Sequence, residues 1–217
     1  MSQTDSFIEE VTEEVRRDKL FLLFRRYGWI AIVAVLALVG GAAYNEFTKA
    51  QARNAAQARG DAILAALKAD DSAARAAALG SLSLQDQTAP VTAMLQSAEA
   101  LASDDPDTAA QVLLSVAEDA EQPPLYRDLA ALKHAILTAS DTPPDQRIET
   151  LQPLARAGGP FRVLAEEQIA LAEIESGEID AALARLTALM EDTEATQGLR
   201  QRASQLIVAL GGDADPV

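Results

Sequence analysis

Cysteine is absent from all 217 residues. That excludes disulfides, zinc–thiolate sites and thiol nucleophiles. A cysteine-free chain suits an oxidising compartment, where nothing can mispair, and is equally compatible with the cytosol. Histidine occurs once, as His134, and aromatic residues make up 4% of the chain. Alanine is abundant where a sheet would call for Val, Ile, Tyr and Thr, so the composition points to closely packed helices. Basic charge is in deficit, with 18 Lys and Arg against 33 Asp and Glu and a net charge of −15. An acidic body repels nucleic acid and anionic headgroups, which excludes both as ligands of that part. Such acidity is also what a general habit of the source organism would produce.

Charge is missing altogether from one stretch. Tyr27 to Asn45 reads YGWIAIVAVLALVGGAAYN. A helix rises about 1.5 Å per residue, so about 20 apolar residues cross a ~30 Å hydrocarbon layer. The stretch divides the chain into a head over 1–26, a transmembrane helix over 27–47, a helical stalk with the first helices over 48–88 and a repeat domain over 89–217. Arg16, Arg17, Lys19, Arg25 and Arg26 precede the span, and Lys49, Arg53 and Arg59 follow it. The basic excess places the N-terminus in the cytoplasm and the body across the membrane. Arg25, Arg26, Tyr27 and Trp29 anchor one interface, and Tyr44 and Phe47 the other. Gly41-Ala42-Ala43 has the look of a signal cleavage site, but the apolar run is long and the head mixed in charge, which favours an uncleaved anchor. Ala37-x-x-x-Gly41 has the spacing that pairs membrane helices, so a homodimer is an open expectation.

In the head, Ser6 and Glu9 have capping-box spacing, Ile8, Val11 and Val15 recur at helical spacing, and Glu13 faces Arg17. Residues 6–24 are expected to form an amphipathic helix, either at the membrane surface or docking a cytoplasmic partner.

The body is punctuated at Asp70-Asp71, Gly80, Pro90, Asp105-Pro106, Pro123-Pro124, Pro143-Pro144, Gly158-Gly159-Pro160, Gly177 and Gly211-Gly212. The intervals are those of ordinary helices joined by short turns. Ala170, Gly177, Ala182, Leu186 and Leu189 follow tetratricopeptide logic: small residues where two helices approach, a turn, then large residues filling the groove. Ala98, Asp105-Pro106, Ala110, Leu114 and Ala117 overlay that unit, and Ala110 to Ala182 gives two repeats near the ~34-residue period. Leu132, Ala135, Ile148, Leu151 and Leu154 fit a unit between them. The expected fold is all-α, a single N-terminal transmembrane helix followed by a tetratricopeptide-like α-solenoid of helix pairs, closed by a C-terminal capping helix. An Ala/Leu bundle without repeat geometry is the alternative.

With these features the chain resembles a family of bitopic bacterial inner-membrane proteins, the ancillary subunits of the SecYEG translocon. The head and span from Phe7 to Phe47 are similar to the alphaproteobacterial form. PFRVLAEEQIALAEIESGEIDAALARLTALMEDTEATQGLRQRASQL, Pro160 to Leu206, resembles the family's terminal repeat and cap. The resemblance implies a periplasmic repeat domain beside the translocon that hands translocated chains to periplasmic chaperones. It implies protein partners, and no cofactor or metal is expected from the motifs present.

No enzyme signature is present. His134 has no serine–acid arrangement and no second histidine. Glu166, Glu167, Glu173 and Glu175 read as a solvated face opposite Leu164, Ile169 and Leu171. Gly158-Gly159-Pro160 lacks the phosphate-loop pattern. Arg127, Lys133, Arg147, Arg156 and Arg162 cluster in mid-body. They either line a groove that grips partner carboxylates or serve as counter-ions on an acidic surface. A homo-oligomeric envelope-assembly or cell-division scaffold is the alternative function, by analogy with other helical-repeat domains.

Overall fold

A computed structural model describes residues 3–82 and 88–213, without the side chains of 3–20, 22–24 and 31. The capping box and apolar face expected in the head therefore rest on side chains outside the described residues. Among those described there are nine helices and no strand. They form two units, Met1–Ala58 and Arg59–Val217.

The first unit is the greater part of α1 (Gln3–Ala66). No proline interrupts it, and Ala, Leu and Val fill its apolar stretch. Every residue from Ile32 to Lys49 is exposed, including Ile32, Leu36, Leu38 and Tyr44. The segment from Arg25 is long and apolar enough to cross a membrane, and none of its apolar window is buried by the protein.

The second unit contains the end of α1 and eight further helices. They are α2 (Ser72–Gly80), α3 (Ala89–Ala102), α4 (Pro106–Glu118), α5 (Pro124–Leu137), α6 (Pro144–Leu151), α7 (Arg162–Ser176), α8 (Ile179–Glu191) and α9 (Gln197–Ala209). From α2 onward each packs on the next in sequence, with α3 also touching α5. The starts follow local chemistry. Asp71, Asp105 and Thr196 cap α2, α4 and α9 by accepting the N–H of Ala74, Thr108 and Leu199. Proline opens α4, α5 and α6, where its missing N–H costs nothing.

Three helix ends are built alike. Asp105 N–H donates to the Ala100 carbonyl, Glu178 N–H to Glu173, and Gly212 N–H to Ile207, at 2.8–2.9 Å. Each closes a turn through a residue of positive φ, Asp104, Gly177 and Gly211 respectively. This is the six-to-one bond of a Schellman end. Repetition of the motif after α3, α7 and α9 marks them as equivalent first helices of successive pairs. α9 then lacks a partner and caps the stack, as repeat arrays require.

The core is a row of neighbouring clusters. Leu113, Val116 and Ala130 join α4 to α5, and Leu132, Leu151, Ala165 and Ile169 join α5, α6 and α7. Ala170, Leu186, Leu189, Leu199, Ala203 and Ile207 join α7, α8 and α9. Of the middle-unit positions expected from the sequence, Leu132, Ala135, Leu151 and Leu154 are buried, and Ile148 is partly buried against them.

The repeat formed by α3 and α4 differs by one residue from the overlay expected. Buried Ser97, Ala109, Leu113 and Val116 match Ala170, Ala182, Leu186 and Leu189, each pair 73 positions apart. Ala98 and Leu114 lie outside the core, Leu114 with 39% exposed. One residue turns a helix face by about 100°, so a run rich in alanine and leucine tolerates the wrong register on paper. Ser97, fully buried on α3, occupies the small-residue position that Ala170 occupies on α7.

These two registers separate experimentally. Leu186→Ala is expected to cost about 2–5 kcal/mol, as a fully buried leucine does. Leu114→Ala should cost below about 1 kcal/mol. Urea unfolding of the full-length chain in detergent measures both, and equal costs would restore the register read from sequence.

Candidate protein-binding groove

α7 is the helix to which the charges converge. The acids expected on its solvated side are largely withdrawn from water. Glu167 and Glu173 are buried, whereas Leu164, expected inside, is 39% exposed. The reason is that α7 packs against α6 and α8 and is reached from α9, so no broad face is left to solvent. Each acid is met by an arginine from another helix. Arg185 of α8 donates to Glu166 and, through Nε and Nη2, to Glu173 at 2.6–3.2 Å. Arg202 of α9 holds both oxygens of Glu167, Nε to Oε1 at 2.6 Å and Nη2 to Oε2 at 2.7 Å. Buried Arg147 of α6 pairs with Glu175. Ionised acids at these depths need such partners. The carboxylates of Glu173 and Glu166 hold the Arg185 guanidinium in its charged form against desolvation.

The five basic residues singled out in mid-body take separate partners. Arg127 Nε donates to the Ala117 carbonyl at 3.3 Å, tying α5 to the end of α4. Lys133 is exposed on α5. Arg147 is consumed by Glu175. Arg156 donates to the Pro153 carbonyl and lines a shallow cavity with Ile148 and Glu149. Arg162 pairs with Asp192 at 2.7 Å and Glu194 at 2.6 Å. For Arg147 and Arg162 the counter-ion role is thus filled within the chain. His134 is half-buried on α5, and desolvation pushes its imidazole below the usual range against the opposing pull of Glu118.

A different surface collects residues from three helices. Ile136 of α5, Leu164, Glu167, Gln168 and Leu171 of α7, and Arg202, Gln205 and Leu206 of α9 line an open groove of about 540 Å³. Aliphatic side chains supply half of its lining residues. Its one carboxylate, Glu167, is buried beneath Arg202, whose guanidinium faces out. The elements involved, α5, α7 and α9, are first helices of successive pairs. No metal-binding group of His, Cys, Asp or Glu occurs among the described residues.

The tetratricopeptide repeat-like domain family matches residues 25–168, two thirds of the chain. The chain belongs to that family. No curated protein and no solved structure matches it. The match runs from Arg25, at the edge of the apolar segment, to Gln168 within α7. Domains of that family serve as protein–protein interaction modules, and the groove is a candidate surface for that work.

Sequence reasoning missed the groove and the α7 ion pairs. Glu173 and Arg185 had a partial signal, since they lie four residues before and eight after the Gly177 turn, on the two helices of one hairpin. Glu167 and Arg202 are 35 residues apart and had none.

Two outcomes follow from these contacts. Arg185→Met should strand Glu173 beneath the surface and cost about 3 kcal/mol, the low end for a buried charge deprived of its partner. Urea unfolding tests this, and a neutral effect would mean that the pair is solvated. Asp192 is held below the ordinary carboxylate range, first by Arg162 and then by the Glu194 N–H. A pKa depressed on folding stabilises above the unfolded value and is lost as pH falls. Asp192→Asn should therefore lower the Tm near neutral pH, and the difference should shrink as pH falls below the ordinary carboxylate range.

Proposed function

We propose that this protein is a single-span inner-membrane protein that presents its repeat domain to the periplasm. In this reading 1–26 is a cytoplasmic head, 27–47 the span, 48–88 the stalk with the first helices, and 89–217 the interaction domain. Arg25, Arg26, Tyr27 and Trp29 sit at the cytoplasmic interface, with Tyr44 and Phe47 at the outer one. Arg26 lies over the Tyr27 ring at 5.8 Å, a contact that suits a headgroup layer.

The domain acts as an ancillary subunit of the Sec translocon, receiving translocated chains and passing them to periplasmic chaperones. The observation that carries the proposal is an apolar, uncovered α1 segment followed in the same chain by a protein-binding repeat domain. Tethering raises the domain's effective concentration for membrane partners without any new contact. The basic residues on the N-terminal side of the span give the orientation. Arg127, Lys133 and Arg156 remain candidates for partner carboxylates, whereas Arg147 and Arg162 already hold carboxylates of this chain.

The test combines topology with partner capture. The chain should resist extraction by alkaline carbonate, and a periplasm-dependent reporter fused after Val217 should be active. Photocrosslinkers placed over residues 124–209 in intact cells should trap translocon subunits and periplasmic chaperones. Crosslinks to cytoplasmic proteins alone would overturn the reading, and crosslinks only between copies of the chain would favour the scaffold.

A further inference from the structure

The groove does not share the net acidity of the molecule: its lining carries one acid and one base. The chain carries −15, so long-range attraction favours basic partners. At the α5–α7–α9 groove the balance changes. Glu167 and Arg202 cancel in number but not in exposure, with the side chain of Arg202 53% exposed and that of Glu167 7%. Arg202 uses Nε and Nη2 on Glu167, which leaves the Nη1 edge outside that pair. The remaining polar lining residues, Gln168 and Gln205, are uncharged. Ile136, Leu164, Leu171 and Leu206 supply aliphatic surface on three helices, and Ile136 remains 47% exposed.

We propose that this groove binds a short aliphatic segment bearing acidic residues and rejects the same segment bearing basic ones. The proposal deepens the function above and rests on it only for the claim that the groove binds protein. Apolar anchors supply affinity, and the outward guanidinium edge supplies the discrimination. Within a few ångströms of Arg202 a partner carboxylate meets an oriented donor, while the acidic surface beyond a Debye length is screened. A partner lysine there meets a like charge and no exposed carboxylate among the lining residues.

The test uses the full-length chain in detergent and three fluorescently labelled amphipathic peptides of about 12 residues, with identical leucines and with Glu, Gln or Lys at the polar positions. At physiological salt the Glu peptide should bind at least about tenfold tighter than the Lys peptide. Ile136→Gln and Leu164→Gln should each weaken it about tenfold, while Leu125→Gln, elsewhere on α5, should not. Circular dichroism checks that each variant folds. Replacing Glu167→Gln and Arg202→Gln together removes both charges without stranding either, and should abolish the preference for Glu over Lys. Tighter binding of the Lys peptide, indifference to the groove variants, or no binding of any peptide would overturn the proposal. A failed crosslink to translocon subunits would remove the cellular role and leave this preference standing.

Discussion

Close approach of neighbouring helices at small residues is the constraint from which the repeat domain follows. Ala165, Ala170, Ala172, Ala182 and Ala203 are fully buried. Without side-chain bulk at those places, α7, α8 and α9 come near enough for Leu186, Leu189 and Ile207 to fill the space between them. A helix pair cannot cover its own apolar face, so each pair leans on the next. Stability is then shared along the stack, and α9 ends it. At that end Gly212 lies so near Leu183 and Ile207 that a Cβ there would meet them at 3.1 and 2.9 Å.

Such packing leaves a middle helix with little solvent of its own. α7 nevertheless carries four glutamates. The domain resolves the conflict by supplying an arginine from α6, α8 and α9. These pairs are not a source of large net stability, because desolvation offsets most of their attraction. What they do is make one arrangement of the helices acceptable and others costly, since any shift would strand a charge. The groove inherits its character from this arrangement. Arg202 is positioned by a buried acid and therefore presents a fixed guanidinium edge beside aliphatic surface.

The first unit presents a different surface. From Ile32 to Lys49 nothing in the protein covers α1. Contiguous exposed apolar surface on that scale is foreign to a water-soluble domain and ordinary in lipid. A helix satisfies its own backbone hydrogen bonds, so no partner is needed there. The acidic repeat domain in the same chain has the opposite requirement, a charged surface that stays in water.

Local chemistry read along the chain accounts for much of this protein. The uncharged stretch, the prolines that open α4, α5 and α6, the Asp71 and Asp105 positions and the Gly177 turn all act within a few residues of themselves, so most helix boundaries and the pairwise layout were legible, whereas the α8–α9 turn, which has no proline or glycine before the Thr196 cap, was not. The small-residue pattern around Ala170 and Ala182 was legible too, because two helices joined by a short turn must meet. Only the tertiary structure decided the register of α3 and α4, since a face rich in alanine and leucine looks similar after a one-residue rotation. It alone decided that Glu167 and Glu173 are interior and Leu164 exterior, because burial depends on what α6, α8 and α9 bring to α7. The groove belongs to the same class. Its residues come from helices far apart in sequence, and no local rule joins Ile136 to Leu164 and Arg202 until the pairs are stacked.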